Sequence, residues 1–219
     1  MSDTQVLPRM LVDARTGGRH GLRDVLGFEA WQRLPEAVRE RFAANAGNAT
    51  YAGAFEIVRA SLVGRAFAWL GTLVGTPVVP RGGQDVAARV LVRPHADGVD
   101  WNREYHWPDG GMHLVRSTKV VSDDGALIEK LPARLCMPLS VYEDGGVLHF
   151  VSRGYYFDLS FGGFGCHLPL PALLSPGVTH VEHIDLGNGW FRFTLAVTHP
   201  LLGEMFFQTG RFCATEDET

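Results

Sequence analysis

The stretch that most constrains this chain runs from Val99 to Val121. Its first arm alternates strictly. Val99, Trp101, Arg103, Tyr105 and Trp107 fall on one side, and Asp100, Asn102, Glu104 and His106 on the other. A period of two marks a β-strand with one dry and one wet face. Pro108-Asp-Gly-Gly111 supplies a fixed φ followed by positive φ, which folds the chain back as a hairpin into Met112–Val121. The odd member is Arg103, a cation in the middle of an aromatic face. A guanidinium stays protonated at any workable pH, so burying it without an anion is costly.

The same pattern recurs downstream. Strands are predicted at Val86–Arg93, Val99–Trp107, Met112–Val121, Ala126–Leu131, Arg134–Tyr142, Val147–Arg153, Val178–Asp185, Trp190–Thr198 and Glu204–Cys213. The joints between them carry Gly, Pro or Asp, and Gly187-Asn-Gly189 is the strongest turn signal. Tyr51–Arg59 can form a further strand. About nine strands with short, regular joints predict an α+β protein built on a strongly curved antiparallel sheet or β-barrel, with a sandwich as the alternative.

Two or three helices are expected in the N-terminal third. Leu22, Val25, Leu26, Phe28, Trp31 and Leu34 recur at helical spacing, and Pro35 suits the first turn of a second helix ending near Ala43. Ser61 is the expected N-cap of a third, Leu62–Val74, apolar nearly all round with Arg65 as its only charge. That helix is expected to cover the barrel mouth or fill its centre, with Trp69 buried. The domain plan is a flexible arm over 1–20, one sheet-rich domain over 21–213 and a short tail over 214–219.

Composition excludes several classes. A net charge of −4 over 219 residues offers no basic field for nucleic acid. Cys136, Cys166 and Cys213 are odd in number and scattered, which points to a reducing cytoplasm without a disulfide framework. No apolar run reaches the ~18 residues of a membrane span, so no membrane partner is expected. Neither G-x-S-x-G nor G-x-G-x-x-G occurs, and no cofactor is expected.

The site expectations follow from charge on apolar faces. Arg103 and Glu129, the latter between Leu127 and Leu131, are expected to share an interior as an ion pair, as ligand contacts, or as both. Trp101 and Tyr105 flank Arg103. Arg116, His149 and Arg153 also sit among apolar same-face neighbours and join the ligand-binding set, while the same pattern equally fits an outward wet face. His180-Val-Glu182-His183 is not expected to bind metal, since alternation sends His183 opposite to His180 and Glu182. Cys166-His167 lacks an identifiable third group for thiol catalysis.

Several landmarks carry a family resemblance: Leu34-Pro-x-x-Val-Arg39, Arg59 before the small-apolar helix ending at Gly75-Thr-Pro77, Trp101-x-Arg103-x-Tyr105, Ser117, Glu129, Leu168-Pro-Leu-Pro171 and His199-Pro200-x-x-Gly203. Over about Leu26 to Cys213 the chain resembles a bacterial family known as domain of unknown function 4166. The resemblance implies a standalone, sheet-rich member and brings no reaction or ligand. From the residues themselves, the expectation is binding of a small amphipathic or lipid-like molecule in the sheet cavity. The alternatives are an isomerase or cyclase using Glu129 and Arg103, and a protein-docking module acting through helix 62–74. Oligomeric state is left open.

Overall fold

The computed structural model describes residues 21–44, 46–72, 78–95, 98–160 and 165–215. The arm 1–20, Leu73–Val74 of the predicted apolar helix, Gly75-Thr-Pro77 and the tail beyond Thr215 lie outside the described residues.

Twelve strands follow in chain order: β1 (Ala49–Ala60), β2 (Gly83–His95), β3 (Gly98–His106), β4 (Met112–Val121), β5 (Leu127–Lys130), β6 (Leu135–Asp144), β7 (Val147–Ser152), β8 (Tyr155–Asp158), β9 (His167–Leu170), β10 (Val178–Gly187), β11 (Trp190–His199) and β12 (Gly203–Thr215). Their order is β5-β4-β3-β2-β1-β12-β11-β10-β7-β6, and β6 pairs back onto β5. The ring closes with every pair antiparallel, so its ten strands form a barrel rather than a sandwich. Closure leaves no unpaired edge in the ring.

The predicted hairpins pair as expected, with Arg103 opposite Val115 and Lys119 opposite Glu129. The barrel reading holds, and the possible strand over Tyr51–Arg59 is present. β1 is a full member that joins β2 to the last strand, β12. The Gly- and Pro-rich passage after Tyr155 also yields β8 and β9, appended to β6. Both are four residues long, too short for alternation to reveal them.

The inner face is aromatic. Phe55 stacks on Tyr105 at 4.9 Å and meets Phe212 edge-on at 5.1 Å. Such ring pairs add to the stabilisation from area burial alone. The first predicted helix is broken: Gly27, at φ 85, separates α1 (Leu22–Leu26) from α2 (Phe28–Arg33). These two and α3 (Glu36–Arg41) rest on β6 and β10. Just after α3, Phe42 lays its ring against Trp101 (5.3 Å), Phe150 (5.7 Å) and His183 (4.9 Å), stoppering the interior.

The apolar helix departs from expectation. Ser61 caps α4 (Leu62–Thr72), its hydroxyl accepting from the Gly64 N–H at 3.0 Å. The contact face is the small one. Ala68 is fully buried, and a Cβ on Gly64 would lie 1.9 Å from the Met205 carbonyl oxygen. Gly64 and Ala68, one turn apart, let the helix lie close on β12, and this turns the large residues outward. Leu62 is 83% exposed and Trp69 66% exposed. The helix therefore does not fill the centre, and Trp69 is not a core residue. Trp69→Ala is expected to cost roughly 0.5 kcal/mol, the surface range. Thermal denaturation showing about 3–5 kcal/mol would restore the core assignment.

Candidate functional site

Three strands build the interior cluster. β3 points Trp101, Arg103 and Tyr105 inward, and the next two strands add Lys119 and Glu129 as cross-strand partners. Arg103 is 6% exposed and Glu129 5%. The Lys119 Nζ lies 3.2 Å from Glu129 Oε1, and Arg103 Nη2 lies 4.0 Å from the same oxygen. Glu129 thus serves two cations. The Nε and Nη2 of Arg103 are buried with no hydrogen-bond partner among the described residues. Aromatic faces take part of the load: Lys119 lies 5.4 Å from the Trp101 ring centre, and Arg103 lies 5.9 Å from that of Phe193.

Charge states follow from this geometry. Burial works to raise the Glu129 carboxyl, but Lys119 and Arg103 outweigh it and hold the group below the ordinary carboxylate value. Burial, reinforced by Arg103, pulls the Lys119 ammonium down against the attraction of Glu129. His183 is pushed well below its ordinary value by burial and then by Arg41, Lys119 and Arg103, so it is neutral at pH 7. Tyr105, fully buried, donates to Gln208 Oε1 at 3.0 Å. Deeper along the wall Tyr155 meets Thr179 at 2.7 Å, and burial lifts its phenol to about 12.

Between these groups lies a void of about 40 Å³, lined by Phe42, Trp101, Arg103, Lys119, Glu129 and His183 among others. Ligand pockets commonly measure about 300–1,000 Å³. The void is too small for a whole amphipathic molecule.

The interior thus brings together four of the seven residues expected there: Trp101, Arg103, Tyr105 and Glu129. Arg116, His149 and Arg153 are not among them. Arg116 is exposed and stands opposite Asn102, on the wet side of β3. Arg153, exposed just after β7, donates to the Ser140 hydroxyl. His149 stacks on Tyr142 at 4.6 Å and pairs with Glu182 across the outer face. This is the outward wet face that the pattern left open, and Met112, on the same face of β4 as Arg116, is itself 64% exposed. The interior group that sequence reasoning missed is Lys119. The signal was present in the hairpin register, which sets Lys119 opposite Val99 on the dry side. His183 points inward and His180 and Glu182 outward, as alternation requires. Cys166 is exposed, and the neighbouring His167 reaches Asp158 at 3.9 Å.

Fold and site together define a closed antiparallel β-barrel that seals a three-charge cluster among aromatic rings. Residues 34–212 match the family model described as Domain of unknown function (DUF4166), and the chain belongs to that family. No curated protein and no solved structure matches it. Among the described residues, no helix is long and apolar enough to cross a membrane.

Proposed function

We propose that the barrel binds a small amphipathic anion, its acidic group held by Arg103 and Lys119 and its apolar part lying among the aromatic side chains. The observation that carries this reading is a cluster of two cations and one carboxylate in which the buried Nε and Nη2 of Arg103 have no hydrogen-bond partner among the described residues. An unmatched buried cation asks for an anion, and a guanidinium fork suits a carboxylate or phosphate. The apolar part needs more room than about 40 Å³, and Phe42 is the side chain whose withdrawal would open it. The N-terminal helices are then the gate.

A thermal-shift series tests this with straight-chain carboxylates from acetate to dodecanoate and the matching alcohols. Carboxylates are expected to raise the melting temperature of the wild type, with little effect on Arg103→Met. Phe42→Ala should extend the response to longer chains. Equal shifts from alcohols, or an undiminished response in Arg103→Met, would sink the proposal.

The isomerase or cyclase alternative draws less support. An ionised Glu129 can act as a base, but it is no reservoir of protons at neutral pH. The docking alternative draws support from one observation, the outward Leu62 and Trp69 of α4.

A further inference from the structure

On the outer wall, away from the charged interior, two neighbouring strands converge three donor atoms. His149 comes from β7, and His180 and Glu182 come from β10. Glu182 is the direct cross-strand partner of His149, and His180 sits two residues away on the same strand and the same face. The Nδ1 of His149 and the Nε2 of His180 are 3.0 Å apart. Glu182 Oε1 is 3.7 Å from the first and 4.0 Å from the second. A triangle with those sides has one in-plane point about 2.1 Å from all three donors. Zinc takes imidazole nitrogen at about 2.0–2.1 Å and carboxylate oxygen at about 2.0–2.2 Å.

We propose that His149, His180 and Glu182 form a surface site for a first-row divalent cation, with Zn²⁺ the best fit. Two imidazoles and one carboxylate make a borderline donor set that suits Zn²⁺ rather than Ca²⁺ or Mg²⁺, which favour all-oxygen ligation. The site is preorganised. The His149 ring lies flat on Tyr142, with planes 9° apart and centres at 4.6 Å, and its side chain is only 11% exposed. His180 and Glu182 are 37% and 31% exposed, so the open coordination position faces water. His183 lies on the opposite, interior face, and the third donor comes instead from the neighbouring strand β7.

The location gives the ion a job. β7 and β10 are not joined by a hairpin, and only four residue pairs, Leu148–Val151 against His180–His183, register them. A shared ion would bridge the two strands at that junction, so metal binding and barrel stability are coupled.

The experiment uses the full chain, stripped with a chelator and titrated with Zn²⁺ against a chromophoric competitor. The expected result is one equivalent bound, a raised melting temperature, and d–d absorption when Co²⁺ replaces Zn²⁺. His180→Ala and Glu182→Gln alter half-exposed side chains and should leave the far-UV spectrum unchanged. Each should weaken Zn²⁺ binding by at least the roughly 10–100-fold typical of losing a supporting second-shell group. His95 reaches Asp100 and His106 reaches Glu104 elsewhere on the chain, and neither histidine belongs to a three-donor cluster among the described residues. His95→Ala and His106→Ala are therefore controls that should leave the titration unchanged. Absence of a stoichiometric site in the wild type would overturn the proposal. So would Zn²⁺ affinity and thermal shift that survive His180→Ala, which would reduce the cluster to a hydrogen-bonded histidine pair.

Discussion

Glu129→Gln is expected to cost about 3–5 kcal/mol, because it leaves the buried Arg103 and the partly buried Lys119 facing each other without their shared anion. For a domain of this size that is a fall in melting temperature of roughly 6–20 °C. Arg103→Met should behave in the opposite way. It leaves Lys119 and Glu129 as a one-to-one pair at 3.2 Å and removes the cation whose Nε and Nη2 have no hydrogen-bond partner among the described residues, so stability should hold or rise. The asymmetry separates a two-cation cluster from a simple Arg103–Glu129 pair, in which both single changes would destabilise alike. Acid provides an independent check. The folded state holds the Glu129 carboxyl below its ordinary 4.5, so its contribution is fully present above that value. It disappears as pH falls through the depressed folded value. Urea midpoints measured from pH 7 down to pH 3 should converge between wild type and Glu129→Gln at the acid end. Parallel curves over the whole range would show that Glu129 is not held ionised by its neighbours.

Much of the barrel was legible because antiparallel hairpins are local. A turn such as Pro108–Gly111 fixes which residues face each other, and alternation fixes which of them are dry, so the partnership of β2 through β7 followed from adjacent residues. Ring closure was not local. The pairing of β1 with β12 joins Thr50 to Thr215, and nothing in either segment announces the other. The α4 error has a similar cause. Apolar periodicity shows that a helix will bury something, but here Gly64 and Ala68 set the contact face by size, and the large side chains were left outside.

The site was legible to the same depth. A charge at a dry position of a well-phased strand marked Arg103 and Glu129, and both lie in the interior. Arg116, His149 and Arg153 stand out by hydrophobic neighbours rather than by register, and that is the weaker signal, since exposed apolar residues are common. Their strands were legible, but alternation alone leaves open which face points inward, and the register and closure of the ring settle it. The outer His149, His180 and Glu182 triad needed a pairing between β7 and β10 that spans a long excursion, which single-strand periodicity cannot supply.

Closure of the ring should depend on one glycine far more than its place in a strand suggests. A Cβ on Gly53 would fall 1.9 Å from the Arg211 carbonyl oxygen, and one on Gly210, across the same seam, 2.4 Å from that of Ala54. Glycine inside a strand marks close backbone approach or a sharp bend, and here it lets β1 coil tightly against β12. Neither obstacle is a flexible side chain that could swing aside. Gly53→Ala is therefore expected to cost more than about 3 kcal/mol, the upper end of ordinary overpacking. Part of that should show as loss of the near-UV signal from Tyr51, Phe191 and Phe212, which pack along this seam. Gly47→Ala is the matched control. Gly47 is exposed just before β1, and nothing lies within 4 Å of its added Cβ, so the change should stay within about 0.5 kcal/mol. Urea unfolding of the two variants side by side decides the point. A Gly53→Ala protein as stable as Gly47→Ala would mean that the β1–β12 seam is looser than its backbone spacing implies.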